Sequence, residues 1–333
     1  MGQGTCPRVP GGLENVYEEF DGMMRFLRKS NWGVALVWGL LLVAVNSSAV
    51  FAAEKLSPEK AYLSDVYKNM MDVTSLHYDV TVTAETPMGE VEAAINGEAR
   101  EKPLSLTHDI NICYRDALNQ EKTLTLKQYI EQNQDDLVVY SLSNETWTKQ
   151  IRPIDPALNK KLSAEEKNSD RMNMLQLVKE VKLKKETPSY KYMEITLDSV
   201  QISDAVSADA KLKNPQDKEL LSRAAIVRLG LLAVGDIKYT IKVDKATKLV
   251  KEIDMDLTEP VRKGAGLFLD LINPKDRALV EDFLTNSTLK MQVVYSQYNQ
   301  VAPIEIPQDV RDNAKEPEPA DKATPAKSEH ILL

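Results

Sequence analysis

From residue 75 onward the chain repeatedly alternates apolar and polar residues with a period of two, and that pattern constrains the fold most. Tyr78, Val80, Val82 and Ala84 point one way, while His77, Asp79, Thr81 and Thr83 point the other. A turn at Pro87-Met88-Gly89 leads to Val91, Ala93, Ile95, Gly97 and Ala99 on one face. After Lys102-Pro103 come Leu104, Leu106, His108, Ile110, Ile112 and Tyr114. Two more strands are expected within Thr123–Gln134 and Asp136–Ser143, and a further one over roughly Thr146–Ile151. The pattern returns over Tyr190–Asp198, at Ile237, Tyr239, Ile241 and Val243, at Leu249, Ile253, Met255 and Leu257, and at Leu289, Met291, Val293 and Tyr295. Strict alternation with short turns means antiparallel strands with one face buried.

Helical patterns supply the cover that such a face needs. Ser57 is a good N-cap and Pro58 suits the first helical position, so a helix is expected to about Met71, with Tyr62, Val66 and Met70 on one stripe. Ser163-Ala164-Glu165-Glu166 reads as a capping box opening a helix that passes through Met172, Leu175 and Val178. Asn214-Pro215 starts a long helix, Gln216 to about Val234, which is apolar nearly all round and is therefore expected to be covered on most sides. A helical insertion, Gly264–Ile272 followed by Pro274–Leu284, separates the last two strands.

The N-terminus reads as an export signal. Arg25, Arg28 and Lys29 form a positive segment, Trp32–Val45 is an apolar run, and Val50 and Ala52 are the small residues of a cut before Ala53. The apolar run is short for a membrane span, which needs ~20 residues. The expected division is therefore a mis-assigned extension (1–23), a signal peptide (24–52), one domain (53–312), and a disordered Pro/Ala/Glu/Lys tail (313–333). The expected location is extracytoplasmic, with the processed chain soluble. Only Cys113 survives the cut, so no intramolecular disulfide is expected. The net charge of −8 gives no electrostatic reason to bind nucleic acid.

No motif carries catalysis. Serine-nucleophile, phosphate-loop, dinucleotide and metal-ligand spacings are absent from the sequence. His77 and His108 fall on opposite faces of separate strands, and Cys113 has no basic cluster beside it in sequence. Glu252, Asp254 and Asp256 alternate on one strand face and read as a solvated face rather than a cation site. No enzyme activity, cofactor or metal is expected.

Four stretches carry a family likeness: AYLSDVYKNMMDVTSLHYDVTVT, DLVVYSLSNETWTKQI, IKYTIKVDKATKLVKEIDMDL and YSQYNQVAPIEIPQDV. Their order resembles the carrier-type lipoprotein-localisation fold, in particular an exported branch of that lipid and lipoprotein carrier superfamily. The resemblance implies an α+β fold, an incomplete antiparallel β-barrel (a curved sheet) wrapped around helices, with acyl chains held on the concave side. Many such relatives carry a lipid-modified cysteine at the processed N-terminus, which this chain lacks near Ala53.

Together these features lead to a non-enzymatic carrier for an apolar ligand, a lipid or lipoprotein acyl chain. The expected lining is Val80, Val82, Ile95, Ile241, Met255, Met291 and Val293, with Phe268 and Leu271 as a lid. Expected partners are the lipid itself, an envelope protein, and a membrane touched transiently. The alternative is a filled-core interaction or sensing module of the cell envelope.

Overall fold

Ser57 accepts a hydrogen bond on its hydroxyl from the Lys60 N–H, at 3.2 Å, and with Pro58 behind it starts α1 (Pro58–Met71). The computed structural model describes residues 56–116, 120–134, 136–143, 145–153, 172–213, 216, 218–267, 269 and 272–316. All of these fall in one of the chain's two units, Ser48–Leu333. The expected signal peptide, its cut before Ala53, the capping box at Ser163 and the chain beyond Glu316 lie outside the described residues.

Six strands follow as a meander: β1 (Ser75–Thr86), β2 (Gly89–Arg100), β3 (Ser105–Asp116), β4 (Glu121–Asn133), β5 (Asp136–Ser143) and β6 (Thr146–Pro153). Residues 172–176 are helical, and the chain then enters β7 (Val178–Glu186) and β8 (Tyr190–Leu197). A helical hairpin follows, α2 (Ser199–Lys213) and α3 (Lys218–Val234). Next come β9 (Ile237–Asp244), β10 (Val250–Asp256), the helices α4 (Thr258–Gly266) and α5 (Pro274–Thr285), β11 (Thr288–Ser296) and a short α6 (Gln308–Asn313).

All eleven strands form one open antiparallel sheet in the order β6-β5-β4-β3-β2-β1-β11-β10-β9-β8-β7. The fold is thus α+β, as expected. Two local meanders are joined at the centre by the pairing of β1 with β11, in which Val80 faces Val293 across more than two hundred residues of chain. That contact is the costly one in chain entropy and is compensated by burial on both sides of it.

Several expectations need correction. Val178 does not continue a helix; it opens β7, a lysine-rich edge strand with register shifts at Val178/Glu180 and Leu183/Lys185. Lysines and bulges are what keep a free edge from pairing with other chains. The helix α2 had no counterpart in the sequence reading, although the Asp198 carboxylate accepts from the Val200 and Gln201 N–H groups as an N-cap would. The insertion begins at Thr258 rather than Gly264. On β10 a register shift between Val250 and Glu252 puts Val250 opposite Val243, so Val250 takes the buried place expected for Leu249.

The C-terminal segment returns to the sheet. Ile306 and Val310 are buried against Val138 and Tyr140, with Tyr129, Trp147 and Ala314 packed around them. The Arg311 guanidinium donates to Glu131, Nη2 to Oε2 at 2.8 Å. Lys315, expected in the tail, bridges to the edge strand β6: its N–H donates to the Trp147 carbonyl (3.0 Å) and its carbonyl accepts from the Lys149 N–H (2.8 Å). The segment is a clasp over β4–β6, sealed by this apolar cluster.

Candidate functional site

Directly paired residues of an antiparallel sheet point to the same face, so register decides which side chains share a surface. One row runs Leu126, Ile110, Ile95, Val80, Val293, Ile253, Ile241 and Met193, from β4 to β8. The next runs Leu124, Ile112, Ala93, Val82, Met291 and Met255, and Tyr239 paired with Ile195 continues it. All seven residues expected to line a ligand surface therefore lie on one apolar face. Phe268 and Leu271, expected as a lid, lie outside the described residues.

The cover over this face is uneven. On the β7–β10 side Leu63 and Val66 of α1 are fully buried, Leu175 and Ile202 of the neighbouring helices are buried too, and Met193, Ile195 and Val243 on the sheet are at most 1% exposed. The Tyr67 and Tyr239 hydroxyls meet at 3.4 Å, and burial raises the pKa of both, so each stays protonated. Lys248 Nζ pairs with Asp65 at 2.6 Å, and Asn69 donates to the Thr247 carbonyl at 2.8 Å, fixing the helix to the β9–β10 turn. Val80, Ile241, Met255 and Val293 are buried. Val82, Ile95 and Met291 are only half-buried. Towards the β1–β2 turn the same holds for Ala84, Val91, Ala93, Ile112, Tyr114, Leu124 and Leu289. This corner of the face, carried by β1–β4 and β11, is an apolar surface left partly open.

At the opposite end of β1–β5 a polar chain is embedded in the same face. The Tyr78 hydroxyl donates to His108 Nδ1 (3.5 Å), His108 Nε2–H donates to Gln128 Oε1 (2.7 Å), and Gln128 Nε2 donates to Ser141 Oγ (2.8 Å). His108 and Gln128 are 3% and 2% exposed. Burial holds the imidazole pKa below its ordinary value, so the ring is neutral and can accept from Tyr78. Gly97 makes room for the tyrosine: a Cβ there would lie 2.5 Å from the Tyr78 ring. Alternation in the sequence puts His108 on the apolar face of its strand but does not identify its partners, which only the register supplies.

The polar face holds a shallow groove of about 560 Å³, bounded by Thr81, Thr83, Thr240, Lys238, Asp254 and Lys290 among others. Its carboxylates are engaged locally. Glu252 pairs with Lys242 at 3.2 Å, Gln292 donates to Glu252 and to Asp254, and Asp256 accepts from the Thr258 N–H at the start of α4. His77 lies within hydrogen-bond reach of Asp79 and Asn96 (3.3 Å each), and the Asn96 amide donates to Asp79 at 2.6 Å. The Cys113 thiol pKa is raised, by desolvation first and then by the Glu121 carboxylate, which disfavours a reactive thiolate. Among the described residues no group of three His, Cys, Asp or Glu is placed to hold a metal.

The helices differ most from expectation in α3. It is not covered on most sides: Ile226, Val227, Leu229 and Leu232 are 56, 49, 63 and 41% exposed. Val261 on α4, Leu267 just after it and Leu279 on α5 are also exposed. Periodicity could not have found this surface, because an all-round apolar helix looks the same whether covered or not.

Two solved structures are similar to this chain. One is the Mycobacterium tuberculosis lipoprotein LppX (10% identity, 74% of this chain and 97% of that one, TM-score 0.34). The other is LprF from Mycobacterium bovis (13% identity, 76% and 98%, TM-score 0.35). No curated protein sequence matches the chain. A family model described as a family of unknown function (DUF6612) matches residues 61–266.

Proposed function

The chain belongs to that family of unknown function, DUF6612, and we propose that it is a non-enzymatic binding or carrier protein for an apolar ligand, a lipid or lipoprotein acyl chain. The observation that carries the reading is the unequal cover of one apolar face: closed where Met193, Ile195, Ile241 and Val243 lie on β8 and β9, and half-open where Val82, Ala93, Ile112, Leu124 and Met291 lie. A soluble protein gains by burying such a surface, at about 25 cal/mol per Å². An acyl chain laid on it supplies the missing cover. Each methylene removed from water is worth ~0.8 kcal/mol, so roughly ten would match the ~8 kcal/mol of a micromolar complex before the entropy of association is subtracted. The flexible thioether of Met291 suits a wall that must adapt to ligands of different length.

Binding of this kind needs no nucleophile, acid or metal, and the exported location expected from the N-terminus fits it. Val82, Ile95 and Met291 are the contact residues of the proposal; Val80, Ile241, Met255 and Val293 form the floor behind them. The test is native mass spectrometry with organic extraction on protein prepared without detergent, joined to uptake of a fluorescent fatty acid. Stoichiometric lipid, or uptake that falls at least about tenfold in Val82→Asp and Met291→Asp but not in the opposite-face control Thr81→Asp, is the expected result. A ligand-free mass together with no uptake of fatty acid or phospholipid would overturn the proposal in favour of a filled-core interaction module.

A further inference from the structure

The exposed stripe of α3 is the largest departure from what a water-facing helix should present. Ser222, Ala225, Ile226, Leu229 and Leu232 recur at three- and four-residue spacing and are all exposed, so one side of the helix beyond Ser222 is aliphatic and faces solvent. α3 touches α4, where Val234 meets Gly264, and α4 touches α5. These neighbours add exposed Val261 and Leu279, with Leu267 at the end of α4.

Position ties this surface to the half-open corner of the sheet. α4 starts where β10 and β11 end: the Leu257 N–H donates to the Leu289 carbonyl at 2.8 Å, and the Thr258 hydroxyl accepts from the Leu289 N–H at 2.9 Å. Leu289 faces Ala84, and Ala84 faces Val91, at the open end of the apolar face. The exposed helices and the open corner therefore stand at the same end of the molecule.

Charge indicates what covers the helices. α3 and α4 together carry five basic residues, Lys218, Arg223, Arg228, Arg262 and Lys263, against two acidic ones, Glu219 and Glu259. By sequence this is a net +3 in a chain of net −8. Arg228 pairs with Asp204 of α2 at 3.1 Å and Arg262 with Glu259 at 2.7 Å, which leaves Lys263, among the described residues and two residues from the exposed Val261, as the cation beside the aliphatic surface. The exposed large apolar side chains are branched aliphatics, with no tryptophan or tyrosine of the kind that anchors protein interfaces among them. Among the described residues no helix is long and apolar enough to cross a membrane. An aliphatic stripe flanked by basic residues on a helix too short to span is the pattern of a segment that lies in a bilayer interface.

We propose that α3, with α4 beside it, docks the protein on a bilayer bearing anionic headgroups and brings the open corner of the apolar face to the lipid surface. The docking itself does not depend on the identity of the ligand. It goes beyond the carrier reading and is tested separately from it.

The test is co-sedimentation of the processed protein, as recovered after export from an expressing bacterium, with vesicles of equal parts phosphatidylglycerol and phosphatidylcholine. Binding is expected to these vesicles, to be much weaker to phosphatidylcholine alone, and to weaken as salt is raised. The double variant Ile226→Ser/Leu229→Ser should lose roughly tenfold or more in partitioning, and Lys263→Gln about fivefold. Both changes are at exposed positions, so thermal unfolding and fatty-acid uptake should stay as in the parent. Absence of vesicle binding, or binding unchanged in the double variant, overturns the proposal. So does a parent that is dimeric by light scattering and becomes monomeric in the double variant, which would assign the stripe to a second copy. A protein that docks on vesicles but takes up no acyl probe keeps this inference and removes the carrier reading.

Discussion

Ile112 on β3 and Ile195 on β8 lie on the same face of the same sheet, in one row that passes through Ala93, Val82, Met291 and Met255. Ile195 is fully buried with Val181 and Tyr239 beside it, whereas Ile112 is only half-buried. The residue type, the strand geometry and the direction of the side chain are shared. The difference comes from the third layer alone: a capped, well-anchored helix on one side, and open space near the turns on the other. Burial is thus a property of what lies over a strand, and alternation in the strand does not encode it.

The largest effect that should follow from this contrast is on stability. Ile195→Ala deletes methyl and methylene groups from a fully enclosed position and should cost about 2–5 kcal/mol by urea unfolding, as enclosed large-to-small changes do. Ile112→Ala should cost well under half as much, because water already reaches the site. Equal losses at the two positions would mean that the open corner is as tightly packed as the α1 side, and the contrast would collapse. A ligand that occupies the corner should raise the cost of Ile112→Ala towards that of Ile195→Ala, since it restores the missing layer.

A second, smaller effect sharpens the comparison within β1–β5 itself. This half of the sheet is not loosely built throughout, because the end away from the open corner carries the Tyr78–His108–Gln128–Ser141 chain. Gly97→Ala would push a methyl group into the Tyr78 ring and should destabilise by about 1–3 kcal/mol, the usual range for overpacking. Gly230→Ala is the matched control on α3: nothing lies within 4 Å of a Cβ there, and alanine favours the helix. Opposite signs for the two glycine substitutions, read from thermal melting, are the expected outcome.

Much of the architecture was legible in the sequence, and the misses have physical causes. β1–β3, β8, β9 and β11 showed themselves because one face of each is apolar and the other polar, whereas β5 is buried on both faces at Val138, Val139 and Tyr140. The edge strand β7 did not show itself, because only Val178 and Val181 are buried in it and two register shifts break the alternation between them and the rest. α2 was missed although Asp198 offered an N-cap, since polar and small residues dilute any apolar period in SVQISDAVSADAKLK. The pairing of β1 with β11, which merges two meanders into one sheet, had no local signal at all, because pairing between distant strands is settled by the whole set of partners. As for the candidate site, the shared face of Val80, Val82, Ile95, Ile241, Met255, Met291 and Val293 followed from parity within strands. Which of them sit at the open corner depended on where α1 came to rest.

His108 gives the most graded of the expected effects and bears on the closed end alone. Its folded pKa is lowered, chiefly by burial, from an ordinary value of 6.5. The neutral ring accepts from Tyr78 and donates to Gln128, and a protonated ring could not accept at Nδ1. Above pH 6.5 the ring is neutral in folded and unfolded chains alike, and its network contributes fully. As pH falls below that value the unfolded chain takes up a proton that the folded chain refuses, so stability drops until the folded pKa is passed. The loss is bounded by about 1.4 kcal/mol for each pH unit between the two values. Unfolding measured by denaturant at pH 7.5 and pH 5 should show this decline, and His108→Gln should flatten it while lowering stability at pH 7.5. Fatty-acid uptake at the open corner should follow neither change. A pH-dependent uptake that His108→Gln abolishes would place the imidazole in the ligand site and join the two regions that the cover of the sheet keeps apart.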